Sequence, residues 1–157
     1  FKIITSLKNY IFLIYLFLIS VSVFQIYKLH PFQSFYFNSF VSKKNINKNY
    51  EIDYWGLSGF NFFEKLIKIH KNDKEIKVAV ASWIPLERSI AILNKDYRNN
   101  IRMFGQNYDK ADYIFSNNTS EVDRNFDKKY DIPKNFKKID ELIINKILVY
   151  EIYKKND

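Results

Sequence analysis

Hydrophobic and polar positions divide this chain into two unequal parts. From Asn9 to Tyr27 the run NYIFLIYLFLISVSVFQIY carries no charge for 19 residues, and Ile, Leu, Phe and Tyr fall on every face of a helix. Such a helix is roughly 28 Å long, against a hydrocarbon core of about 30 Å. Tyr10 and Tyr27 stand near its ends and Lys8 and Lys28 bracket it, as residues do at the two membrane–water boundaries. A flank over 1–8 and a transmembrane helix over 9–29 are predicted. A buried core helix and a secretory signal are the competing readings; the first lacks a polar stripe to face water, and the second has Ser20 to Ser22 as a weak cleavage site. The apolar run, however, continues past it through Val23, Phe24 and Ile26. Pro31 disfavours helical backbone at His30, so the helix is expected to end there.

Beyond it the pattern changes period. Polar residues fill SKKNINKN over 42–49, which reads as a loop. Phe62, Phe63, Leu66, Ile67 and His70 then recur at helical spacing, with Ser58 as the expected N-cap and an end near Asn72. IKVAVAS from Ile76 to Ser82 is a short, largely buried strand bounded by charge. PLERSIAILNK predicts a weak second helix, with Pro85 suited to its first turn. NIRMFG and ADYIFSN predict two more strands, and the first of these is placed to form a parallel crossover with the Ile76 strand. The stretch NNTSEVDRNFDKKYDIPKNFKK, 117–138, has no apolar period and reads as loop. Two β-rich runs around Asn145-Lys146 predict a closing hairpin. The fold class is α/β: a transmembrane helix, a membrane-proximal aromatic segment over 30–57, and a small layered domain over 58–157 with a mixed sheet of about four to five strands.

Composition mainly excludes. No Cys is present, which removes disulfides, thiolate catalysis and cysteine zinc sites. His30 and His70 are the only two histidines and lie far apart, so no metal centre is expected. The chain opens on Phe1 and its one Met is Met103, so a fragment or processed chain is expected. No phosphate-binding glycine loop, nucleophile elbow or calcium loop occurs, and no cofactor is implied. Net charge is +8, from 25 Lys and Arg against 17 acidic residues; residues 29–157 keep +5 of it. The cations are scattered rather than interleaved with aromatics, which argues against a nucleic-acid partner and for a solvated surface or lipid headgroups. Asn117 and Asn118 open two overlapping N-glycosylation sequons, close to chance in so Asn-rich a loop.

Two aromatic runs follow the span: HPFQSFYFN over 30–38 and YEIDYWGLS over 50–58. Tyr36, Tyr54 and Trp55 have rings that gain at a headgroup boundary, dry on one edge and wet on the other. Asp53 is equipped to accept bonds from backbone amides or sugar hydroxyls, and Glu51, two residues earlier, makes a possible acid–base pair with it. The candidate substrate-binding residues are therefore Tyr36, Asn38, Asp53, Tyr54 and Trp55. The simpler reading makes Trp55 and Phe37 core residues. His70, on the apolar helix face, reads as a core or interface histidine.

These runs resemble the end of a bacterial family of polytopic membrane glycosyltransferases related to the dolichyl-phosphate-mannose-type mannosyltransferases. The residues that carry the resemblance are His30, Pro31, Gln33, Tyr36, Phe37, Asn38 and the run Asp53, Tyr54, Trp55, Gly56, Leu57, Ser58, with Phe32 standing where the family has Tyr. ADYIFSNN and the terminal ILVYEIYKK are similar too. The resemblance implies the last transmembrane helix and extracytoplasmic C-terminal domain of a hexosyltransferase-like protein of the bacterial inner membrane, using a polyprenyl-phosphate-linked sugar. It also implies that the catalytic carboxylate belongs to an earlier region, so no catalytic residue is assigned here. Lysine counts on the two sides of the span slightly favour a cytoplasmic domain instead. The alternative function is a single-pass, membrane-anchored binding or scaffold domain without catalysis; a secreted basic domain released after Ser22 is the third.

Overall fold

The computed structural model describes residues 2–37, 41, 46, 50, 52–53, 56–70, 75–117 and 130–156. It forms two units, Phe1–Asn38 and Ser39–Asp157, so the segment 30–57 is shared between them. In the first unit, helix α1 covers Lys2–Lys28, starting earlier than predicted and ending one residue before the expected 29. Its stretch Lys8–Lys28 is long and apolar enough to cross a membrane, and none of it is buried within the protein. Phe12, Phe17 and Phe24 are each about two-thirds exposed, a large cost in water and none in lipid. The hydroxyls of Ser20 and Ser22 donate to the carbonyls of Leu16 and Leu18, one turn back, so neither presents a free donor to hydrocarbon. A single 3-10 turn, Gln33–Phe35, follows the cis His30–Pro31 bond.

The second unit is built on a five-stranded mixed sheet in the order β2-β1-β3-β5-β4. Helix α2, Leu57–His70, precedes it. The chain then runs β1 (Ile76–Ala81), α3 (Glu87–Ala91), α4 (Lys95–Arg98), β2 (Ile101–Met103), β3 (Tyr113–Ser116), β4 (Phe136–Ile144) and β5 (Ile147–Lys155). The α/β class is as expected, and so is the parallel pairing of β1 with β2. β2 takes the first half of β1 and β3 the second half, meeting at Val78. The β2–β3 link therefore has only to step across β1, and one 3-10 turn at Tyr108–Lys110 suffices.

Apolar periodicity explains the layers. Phe62, Phe63 and Leu66 of α2 are fully buried on one sheet face, with the Phe62 ring edge-on to Phe115 at 5.0 Å and to Tyr150 at 6.0 Å. On the other face the small residues Ala79 and Ala81 leave room for the bulky Tyr130 and Phe136, beside Ile114 and Ala111. Lys65 reaches from α2 to the Asp140 carboxylate at 2.9 Å, joining the helix to the edge strand.

Three expectations need correction. Helix α2 begins at Leu57, so Ser58 lies inside its first turn and is not the cap. The predicted second helix, 85–95, is only Glu87–Ala91; a separate helix, α4, starts afresh at Lys95, where the Asn94 side chain accepts a bond from the Asp96 amide. The predicted loop over 117–138 ends early: Phe136–Lys138 are strand, paired with Tyr153–Lys155. Residues 118–129 lie outside the described residues.

The hairpin turns at Asn145 and Lys146, with φ of 51° and 66°, the doubly left-handed turn that suits strand twist. Asparagine tolerates that conformation and lysine does not. Lys146→Gly is expected to raise stability by about 0.5–1 kcal/mol, read as a higher unfolding midpoint in urea.

Candidate functional site

In a sheet of this kind the chain leaves β1 for a neighbour on one side and returns to the other, and the carboxyl ends of the strands beside that reversal are where ligands usually bind. Here that place is filled by the protein itself. Ser82 follows β1 and Asn117 follows β3, and both are buried. Between them and the start of α2 sits Asp53, 3% exposed.

The geometry is that of a clasp. Asp53 Oδ1 accepts from the Ser58 amide at 3.2 Å, and Oδ2 accepts from the Ser58 hydroxyl in a very short bond. The Asn117 side-chain amide donates to the same Oδ2 at 3.3 Å. Asn117 Oδ1 in turn accepts from the Ser82 hydroxyl at 2.6 Å, and Ser82 Oγ accepts from the Ile84 amide at 3.0 Å. Every link points the same way, toward the carboxylate. Two of the four amide donors that a helix start leaves free are provided for, since Asp53 also accepts from the Leu57 backbone. Gly56, at φ 66°, makes the tight turn that folds Asp53 back onto the helix, with its amide on the Asp53 carbonyl at 2.8 Å.

Burial pushes the Asp53 carboxyl above its usual range, against the hydrogen bonds from Ser58, Asn117 and Leu57, which pull it down. A carboxylate so enclosed and so fully engaged has no lone pair turned to solvent for a sugar hydroxyl. Of the two partners foreseen for it, the structure supplies the backbone amide. Asn117 is likewise spoken for: its amide is buried as a donor, so the folded domain does not offer it for glycosylation.

The predicted residues are therefore only partly brought together. Asp53, Gly56, Leu57 and Ser58 form one bonded unit. Asn38, Glu51, Tyr54 and Trp55 lie outside the described residues. Tyr36 and Phe37 are half-buried in the first unit, where Gln33 Nε2 and His30 Nδ1 are 2.6 Å apart. His70 is half-buried at the end of α2, its Nδ1 3.2 Å from the Tyr113 hydroxyl. Among the described residues no group of His, Asp and Glu is arranged to hold a metal ion. Sequence reasoning missed Ser82 and the structural role of Asn117; the one available signal was that each is the last residue of a predicted strand. Compared with family models, curated proteins and solved structures, the chain shows no significant match to any of them.

Proposed function

We propose that this chain is the last transmembrane helix and the extracytoplasmic α/β domain of a bacterial membrane glycosyltransferase-like protein that uses a polyprenyl-phosphate-linked sugar, and that this part does not itself catalyse. The observation that carries the reading is the single bonded unit made by Asp53, Gly56 and Ser58. Asp53, Gly56 and Ser58 of the run that resembles the family are here part of the joint that fastens α2 to the strand ends. The apolar helix directly before it supports a membrane location, the lipid bilayer being the partner. The closed state of the Asp53 site supports a non-catalytic role. Determining the coding sequence upstream of Phe1 tests this: further hydrophobic spans are expected, and a start codon immediately before Phe1 sinks the reading.

A single-pass anchored binding or scaffold domain is the second reading; the one candidate span among the described residues, Lys8–Lys28, is equally compatible with it. Sugar transfer by the intact protein would count against it.

A further inference from the structure

We propose that the domain dips the Leu57 and Trp83 side chains into the bilayer interface, so that it rests on lipid as well as being tethered to it. Trp83 is 49% exposed although its neighbours Ser82 and Ile84 are 5% and 4% exposed. The Ser82 hydroxyl accepts the Ile84 amide at 3.0 Å, closing a turn with Trp83 at its tip, and Pro85 stiffens the exit. Leu57 is 42% exposed between Gly56 and the wholly buried Ser58. The two turns touch: a Cβ on Gly56 would stand 3.0 Å from Ile84 Cγ2. One polar clasp thus fixes both turns from inside and presents an indole and an isobutyl group outward from the same end of the domain.

Three considerations choose lipid over protein as the occupant. Two side chains offer far less than the roughly 800 Å² per partner of a stable protein interface, whereas shallow insertion of an indole needs no more. Residues 39–157 keep the +5 charge, because no charged residue lies between 29 and 38, and this suits an anionic headgroup layer. α1, joined to Leu57 through residues 29–56, holds the domain at a high local concentration near any membrane that it spans, so weak contacts suffice. Tyr50, Ile69, Ile92, Tyr97, Ile139 and Ile143 are exposed too, as single apolar residues are on any soluble surface; the Trp83 and Leu57 turns differ in touching one another.

The inference rests on α1 spanning the membrane, and the test separates the two. The chain has no Cys, so single variants Leu57→Cys, Leu16→Cys and Tyr97→Cys can each carry one environment-sensitive fluorophore in the full chain. Each is reconstituted into phosphatidylcholine–phosphatidylglycerol vesicles containing shallow or deep brominated lipid. The position 57 label is expected to be quenched about twofold by shallow bromines, the position 16 label by deep ones, and the position 97 label by neither. Replacing Trp83 by Ala, an exposed change that keeps the fold, should release the position 57 label. Quenching at 16 without quenching at 57 overturns the docking and leaves the span intact. No quenching at 16 overturns the span. Shielding at 57 that persists in lipid-free detergent and deepens with protein concentration assigns the patch to a second copy and overturns the lipid assignment.

Discussion

Asp53→Ala is expected to cost the folded domain about 3 kcal/mol, because it takes from the buried Ser58 amide and hydroxyl the carboxylate that accepts them and removes one acceptor of the Asn117 side chain. Asp53→Asn keeps the volume and one acceptor oxygen, so it is expected to lose much less. The two also differ in pH response. Burial raises the Asp53 carboxyl above its ordinary 3.8 in the folded chain. The folded state therefore binds a proton more tightly than the unfolded state. The stability this gives is fully present below pH 3.8 and is lost as pH rises through the raised folded value. Denaturant titrations of the full chain in detergent, followed by circular dichroism, are expected to show this decline in the natural chain and a flatter profile in Asp53→Asn. Equal midpoints for Asp53→Ala and the natural chain would mean that the clasp carries no stability.

Gly59→Ala is the second large effect. Gly59 sits on α2 where α3 and the residue before it press closest; an added Cβ would stand 2.8 Å from Leu86 Cδ2 and nearer still to Ser89 Oγ. On an exposed helix the change to alanine gains about 1 kcal/mol from propensity. Here Leu86 and Ser89 are both buried and have little room to yield, so the clash decides the sign. A net loss of roughly 1–3 kcal/mol is expected, measured as a lower urea midpoint with an unchanged slope. A rise in the midpoint would show that the two helices can part without cost.

Strong local patterns in the sequence translated directly into structure. The uncharged run before Lys28 could bury its backbone groups in lipid only as a helix, and α2 could hide Phe62, Phe63 and Leu66 only at a period near 3.6. The hairpin was readable because Asn145 is one of the few residues at ease with positive φ. What stayed hidden depends on partners distant in sequence. Phe136–Lys138 look polar and loop-like, yet β5 runs nine residues and supplies a partner edge to them. Asp53 read as a surface carboxylate beside aromatic residues; its place was set by Asn117, which lies 64 positions away and has no periodic signature. Ser82 was visible only as the last letter of a strand.

The order of the strands also dictates a timetable. β5, made after every other described strand, lies inside the sheet and supplies the only described strand partner of β4 and one of the two partners of β3. As the ribosome extends the chain, α1 is complete long before the sheet has β5, the strand that joins β3 to β4. The domain must therefore wait for residue 155 before closing, and a chain stopped within β5 would leave β3 and β4 without their shared partner, an unfolded product open to proteases.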